Sequence, residues 1–414
     1  MQTFDVLIVG GGAAGITTAA ILRRRRPSLS IGLVEPSEVH YYQPAWTIVG
    51  GGVYPFEKTR RPTAGLIPSG VKWLKTAATA FEPQTNAVAL ADGSRVGYRM
   101  LIACPGIQND WDKVQGLRDV LGRDGVCSNY SADTVQSTWR FVDGFKGGTA
   151  LFTQPPVPFK CPGAPQKIAY LAADRWRRRG MKNCDMHFLT ATPTMFGVPY
   201  FAKALDKVIA SYGIVPHFQH NLVAVDAGKR EATFEVTASD GQKSRMTMRY
   251  DLLHVSPPES PPAFVKQSPL ANQAGYIDVD QNTMRSTKFE NVYSLGDACS
   301  TPNSKTAAAV RKQAPILVDN MLAAMDGKEM PKRYDGYASC PLTTSLGTVM
   351  LAEFIYGGKV TPTFRLDPSK PRWIWWWLKT TGLPFLYWEI MLKGYDFIDI
   401  RHGEDKAAPF LQPA

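Results

Sequence analysis

The sequence predicts an α/β protein with two Rossmann-like dinucleotide-binding domains, the first of them discontinuous in sequence, and a C-terminal region that associates with a membrane surface. Three observations carry that expectation. The chain opens with a short apolar run, a glycine-rich turn and a helix-forming stretch. The same order of strand, loop and helix begins again at Gly148. Five of the ten tryptophans crowd into residues 372–393.

Residues 4–9, FDVLIV, suit a short buried strand, and GGGAAGITTAAILRRRR follows as turn and helix. Gly10, Gly12 and Gly15 make the Gly-x-Gly-x-x-Gly spacing. Missing side chains there permit the tight turn, the close approach of a pyrophosphate and close helix packing. Alone, the pattern is weak. A second strand, Ile31–Val34, ends in Glu35, twenty residues after Gly15, where a carboxylate accepts hydrogen bonds from an adenosine ribose. Strand, turn, helix and acid together separate a dinucleotide site from a chance glycine-rich turn. Arg23, Arg24, Arg25 and Arg26 close the helix, where cations offset the negative end of its dipole.

The kind of dinucleotide is read further along. Residues 291–300, NVYSLGDACS, form an apolar strand ending in Gly296 and Asp297, similar to the second flavin motif of two-dinucleotide-domain flavoproteins. That likeness implies FAD, with Asp297 at its ribityl and pyrophosphate region. Residues 304–321 read as a helix whose positive amino end points toward the isoalloxazine, with Lys305 adding charge in the first turn. Residues 1–112 and 258–330 then make the FAD-binding domain and residues 113–257 the second Rossmann-like domain. SPPESPP, at 256–262, is a proline-rich linker back to the first domain, and residues 331–414 are a C-terminal appendix.

With 414 residues and 44% hydrophobic content the chain buries sizeable cores, which excludes a disordered protein. Six scattered cysteines and the absence of a signal-like start point to a reducing compartment. The net charge of +11 suits nucleic acid, anionic lipid or small anions. Basic and aromatic residues do not interleave as a nucleic-acid platform requires, so none is expected. Of the six histidines only His217 and His220 are closely spaced, and no metal is expected.

In flavoproteins that use NADH, the second domain's strand-to-helix turn is itself glycine-rich. Here the strand at 149–153 leads into TQPPVPFKCPGAPQKIAYLAAD, where prolines, Phe159, Lys160 and Cys161 fill the turn and only Gly163 remains. Nicotinamide binding is therefore not expected. Cys161 stands just before a helix, with Lys160 and Lys167 nearby, and dipole and lysines both favour a thiolate. Cys340, in YDGYASCPL, is also followed by a proline. A cysteine taken alone is more often a small buried hydrophobe, the reading given to Cys184 and Cys299.

The segments VGGGAAGITTAA, VEPSEVHYYQPAWTIVGGG, VPFKCPGAPQKI, LHVSPPESPP, SKTAAAV, YDGYASCPL and PFLYWEIMLKGY resemble sulfide:quinone oxidoreductases of the two-cysteine type shared by bacteria and mitochondria. The likeness runs from Val9 to Tyr395. It implies that Cys161 and Cys340 are a redox pair, bridged directly or through one extra sulfur. Hydrosulfide would open that bridge, leaving a persulfide, placed on Cys340, and an anion on Cys161 that reduces the flavin. The resemblance also implies flavin contacts at Gly10, Gly12, Ala13, Ala14, Gly15, Glu35, Gln43, Gly106, Asp297 and Lys305. In MLIACPG, the Cys104 and Pro105 before Gly106 depart from the pattern and read as structural. Three-cysteine relatives use a cysteine near Cys127, which stays outside the catalytic set here.

The implied partners are hydrogen sulfide, a ubiquinone-like quinone, and a sulfane sulfur acceptor such as glutathione, sulfite or sulfide; a homo-oligomer stays open. Two rivals remain: an NADH:quinone reductase-like flavoenzyme and a non-catalytic sulfide or persulfide sensor. A flavocytochrome subunit would need a flavin-linking cysteine near residue 40, and none occurs before Cys104. No window reaches the roughly 20 apolar residues of a spanning helix. In PRWIWWWLKTTGLPFLYWEIMLK, Gly382 and Pro384 are expected to split the stretch into two short elements lying at the headgroup boundary. The expected location is the cytoplasmic face of a bacterial inner membrane, or the matrix face in a mitochondrion.

Overall fold

The computed structural model describes residues 1–396. Residues 397–414 of the C-terminal region lie outside the described residues.

The first strand, Gln2–Val9, is buried along most of its length and lies centrally in a seven-stranded sheet. Ile31–Val34 and Arg95–Ala103 flank it in parallel, and Val292–Ser294 pairs in parallel beyond Arg95–Ala103. A strand from the chain's second half thus completes the sheet begun by its first. Helix Ala13–Arg25 packs with helix Ala307–Met325, and both cover one face through Ile16, Ile21, Leu22, Val310, Leu317 and Met321. Arg23, Arg24 and Arg25 occupy the last turn of the first helix, as its dipole favours.

A second, all-parallel sheet of five strands runs in the order Val126–Cys127, Leu252–His254, Gly148–Gln154, Cys184–Thr190, Val215–Phe218. Such sheets are buried on both faces, and helix Ala164–Arg178 covers one of them with a largely buried surface. A three-stranded antiparallel sheet, from His220–Asp226 through Lys243–Arg249, is attached to this unit.

The two passages between these units meet. Gln108–Asn109 leaves the first unit and Glu259–Ser260 returns to it, and the two pair antiparallel. Ser260 Oγ donates to Asp110 at 2.6 Å, and Asp110 N–H to the Pro258 carbonyl at 2.8 Å. The proline-rich segment is therefore a paired and partly buried strand rather than a free linker.

The region after residue 330 is not an appendix. The hairpin of Ala338–Ser345 and Thr348–Phe354 sets Ala338, Cys340, Leu342, Met350 and Ala352 against Ile168, Ala169 and Ala172 in the second unit's core. Tyr387, Trp388, Met391 and Leu392 join the core of the first.

Candidate active site

The glycine turn is crowded at Gly10 and Gly15 and open at Gly12. Gly10 has φ +105°, and a Cβ there would lie 2.4 Å from the Cys104 carbonyl oxygen. A Cβ on Gly15 would lie 1.8 Å from the Gly10 oxygen, so helix and turn touch through backbone. At Gly12, by contrast, nothing stands within 4 Å, and the helix beginning at Ala13 has no side-chain cap. Its first N–H groups are left to an outside acceptor. Gly106, φ +75°, is likewise open. This is a surface that a dinucleotide phosphate fits.

Glu35 lies where the spacing puts it, yet its carboxylate also serves the turn. Oε2 accepts from the Gly11 N–H and Oε1 from the Ser37 N–H, both at 2.7 Å, and each oxygen keeps a further lone pair. A Cβ on Gly11 would meet Glu35 Cγ at 2.6 Å, so the middle glycine of the run is required as well. Ala14 packs beside Gly296, which brings the two flavin-motif segments into contact.

Gln43 opens the short 3-10 turn Gln43–Ala45 and is exposed. Burial raises the Asp297 carboxyl above its usual range, against the pull of Lys305 and Lys160. Lys305 is displaced from its expected place. Thr306 caps the helix, its hydroxyl accepting from the Ala309 N–H, so the helix starts at Ala307 and Lys305 precedes it. Its Nζ turns back to the Cys299 carbonyl at 2.9 Å and sits 4.7 Å from the centre of the Tyr276 ring.

Cys161 and Cys340, from different units, come together. Their sulfurs are 3.6 Å apart. Cys161 has φ +51°, with its N–H donating to the Lys305 carbonyl at 3.1 Å and its own carbonyl accepting from Ala164 N–H at 2.7 Å. Cys340 is buried on Ala338–Ser345. The one glycine kept in this turn, Gly163, admits it: a Cβ there would lie 2.7 Å from Cys340 Sγ.

Charge makes the pair unequal. Lys167 Nζ lies 3.1 Å from Cys161 Sγ. A hydrogen bond from the Cys340 thiol, and then the Lys167 ammonium, hold Cys161 well below the usual thiol range despite burial. The same hydrogen bond, and then burial, push Cys340 well above it. Burial works against the charge on Lys167, but the neighbouring sulfurs outweigh it and raise its affinity for the proton.

Two further side chains at this site carry no sequence signal. Lys379, 5% exposed, reaches in from the C-terminal region to the field of the pair, with Nζ 3.5 Å from the Pro44 carbonyl. Burial, with Lys167 adding to it, pushes Lys379 down to about 7. Glu259 contacts Lys160 from the returning strand.

The other cysteines sit elsewhere. Cys127 is buried, its thiol pushed up to about 12 by burial. Cys104 is buried under Gly10 and raised for the same reason. Cys299 packs with its sulfur 3.1 Å from the Gly296 carbonyl, and Cys184 is half-buried. His187 joins His217 and His220, its Nδ1 2.9 Å from His217 Nε2. Among the described residues no group of three or more His, Cys, Asp or Glu side chains could hold a metal ion.

The tryptophan-rich stretch differs from its expected form. Residues 373–391 are one continuous helical rod, not two elements, with wide π turns at Leu378–Gly382 and Leu386–Met391 on either side of Pro384. Wide turns absorb the N–H that proline lacks. Trp373, Trp377 and Phe385, spaced along one face, are 69%, 53% and 61% exposed. Lys379, Tyr387 and Trp388 on the other sides are buried. Among the described residues no helix is long and apolar enough to cross a membrane.

No family model matches the chain. The chain is 42% identical over 393 residues to the mitochondrial sulfide:quinone oxidoreductase of Mus musculus, covering 95% of this chain and 87% of that protein. To the mitochondrial sulfide:quinone oxidoreductase of Dictyostelium discoideum it is 42% identical over 367 residues, covering 88% and 80%. Among solved structures, the sulfide:quinone oxidoreductase of Aquifex aeolicus superposes with a TM-score of 0.78 at 18% identity, covering 96% of this chain and 92% of that one. That last likeness speaks to the fold.

Proposed function

The chain belongs to the sulfide:quinone oxidoreductase family, and from that premise we propose that Cys161 and Cys340 are its redox pair and that its flavin is FAD. The enzyme oxidises sulfide and reduces a quinone. The observation that carries the proposal is the 3.6 Å approach of two buried sulfurs, one of them 3.1 Å from an ammonium.

A direct bond between sulfurs is about 2.05 Å, and 3.6 Å is within the span of two such bonds. The oxidised pair is thus a disulfide after a small closure, or a trisulfide with one sulfur between. Hydrosulfide attacks at Cys340: a new S–S bond forms there, the bond toward Cys161 breaks, and its electron pair leaves on the Cys161 side. The direction follows from the Lys167 ammonium beside Cys161, which favours negative charge on that sulfur, and the sulfur of lower proton affinity leaves faster. Lys167 holds the departing charge in place. FAD would be held by Gly10, Gly12, Ala13, Ala14, Gly15, Glu35, Gln43, Gly106, Asp297 and Lys305, and would supply a two-electron acceptor for that anion and a donor to quinone. The Cys340 persulfide then yields its outer sulfur to glutathione, sulfite or sulfide.

Trp373, Trp377 and Phe385 support a monotopic seat at a lipid headgroup boundary, where a lipid-soluble quinone is reached. The names of the relatives support a mitochondrial location, and the matrix face is the side proposed for the site. The second unit's turn, filled by prolines up to Gly163, does not favour NADH as donor.

The test is anaerobic titration of the flavin with sulfide and then NADH, in the native protein and in Cys161→Ser and Cys340→Ser. Bleaching by sulfide in the native protein alone is expected. Full bleaching in both variants would sink the cysteine assignment.

A further inference from the structure

The strand returning from the second unit carries an acid that stands directly behind Cys161. The Glu259 side chain is fully buried. Its Oε2 accepts the backbone N–H of Lys160 at 2.6 Å, and Lys160 Nζ lies 3.2 Å from Oε1. One carboxylate therefore grips both the main chain and the side chain of the residue before Cys161.

What this grip holds is a strained residue. Cys161 has φ +51°, a region that only glycine, and to some extent asparagine or aspartate, visits readily. Such a conformation persists only where its surroundings over-determine it. Three anchors do so here. Glu259 fixes the Lys160 N–H, the Lys305 carbonyl accepts the Cys161 N–H, and the Ala164 N–H caps the Cys161 carbonyl. Two are backbone; Glu259 is the anchor supplied by a side chain.

We propose that Glu259 is a positioning residue for the reaction of Cys161, holding Lys160 so that Cys161 keeps its left-handed conformation and its sulfur faces Cys340. The proposal rests on the reading of Cys161 and Cys340 as the redox pair. Glu259 need not touch substrate or cofactor. It acts through Lys160, and it shares an electrostatic cluster with the thiol it positions.

Around the carboxylate stand Lys160 from the cysteine loop, Tyr130 from the segment after Val126–Cys127, and Asp297 and Tyr276 from the first unit. Tyr130 feels both Glu259 and Cys161, which places acid and thiol in one field. Burial pushes the Glu259 carboxyl up to about 7, against the Lys160 ammonium. The acid thus gains its negative charge near neutrality, and an anion there makes the Cys161 thiolate less favourable.

Holoenzyme carrying Glu259→Leu and Glu259→Gln tests this beside Cys161→Ser. Glutamine keeps an oxygen for the Lys160 N–H and loses the charge; leucine loses both. Misplacement of a reacting group costs on the order of tenfold to a hundredfold in rate, so sulfide-driven flavin reduction is expected to slow by that much in Glu259→Leu and to be largely restored in Glu259→Gln. The pH profile of Cys161 alkylation should show an inflection near neutrality in the native enzyme that Glu259→Gln lacks.

A Glu259→Leu rate within twofold of native overturns the proposal (about 0.4 kcal/mol, below any positioning effect), and so do superimposable alkylation profiles in native and Glu259→Gln enzyme. Should Glu259→Leu fail to fold, Glu259→Ala, which also removes the acceptor of the Lys160 N–H, takes its place in the rate comparison. Normal flavin reduction in Cys161→Ser would instead bring down the cysteine reading on which this rests, an outcome distinct from an inert Glu259.

Discussion

The Tyr387 hydroxyl lies 2.6 Å from Nε2 of His40, whose Nδ1 lies 3.3 Å from the Gly11 carbonyl. Burial pushes His40 down to about 4, so the ring is neutral at physiological pH. With Nδ1–H donating to the carbonyl, Nε2 is the acceptor and Tyr387 the donor. A single imidazole ties the C-terminal rod to the glycine turn. Tyr387→Phe leaves Nε2 buried and unpaired, an expected cost of about 1–3 kcal/mol. Thermal melts with the flavin bound measure it. An unchanged midpoint would show that the link does not contribute to stability.

Lys167 stands 3.1 Å from Cys161 Sγ and is the nearest source of its low proton affinity that can be removed without touching either sulfur. Lys167→Met should raise the Cys161 pKa, because the ammonium that favours its thiolate is gone. It should also slow sulfide-driven flavin reduction by at least about tenfold. Lys167→Arg should recover part of both. The alkylation rate of Cys161 against pH reads the first and stopped-flow absorbance the second.

Lys379 is pushed down to about 7, so its ammonium is present below neutrality and lost as pH rises through it. A cation near the pair favours the departing anion, so this contribution to the rate is full at acid pH and fades above neutrality. Lys379→Met should therefore slow the sulfide half-reaction chiefly below pH of about 7 and flatten the profile there. Parallel native and variant profiles over that range would remove Lys379 from the chemistry.

The exposed face of the rod can be changed without disturbing what lies beneath it. Trp373→Glu, Trp377→Glu and Phe385→Glu should each weaken sedimentation with liposomes by about 1–3 kcal/mol. Quinone turnover should fall while sulfide-driven bleaching stays native. Removing the whole region after Pro371 is a poorer test, because Lys379 and Tyr387 leave with it. Unaltered sedimentation of the triple variant would refute the membrane seat.

Local features of the site were legible because they are written locally. Gly10, Gly12, Gly15 and Glu35 follow from strand-turn-helix geometry, and the crowding at Gly10 and Gly15 is the reason the spacing exists. Cys161 and Cys340, by contrast, lie 179 positions apart, and only resemblance joined them before the fold did. Lys379 and Glu259 were illegible because their burial is tertiary: each looks like a surface charge until another element covers it. The helix start moved because it is the Thr306 hydroxyl that accepts the Ala309 N–H, which makes Thr306, and not the serine two residues earlier, the cap. Gly382 and Pro384 ordinarily break a helix, and here the π turns around them keep the rod intact.

The paired passages at Gln108–Asn109 and Glu259–Ser260 have a mechanical consequence. Two lobes joined by two loose strands could open like a clamshell. These are riveted at the seam, with Ser260 bonded to Asp110 and Glu259 bonded to the cysteine loop. Turnover cannot be gated by swinging one lobe from the other without first unzipping that seam. Entry of small sulfur species is then expected to need no swing of the lobes, and sulfide should still bleach the flavin in a crystal.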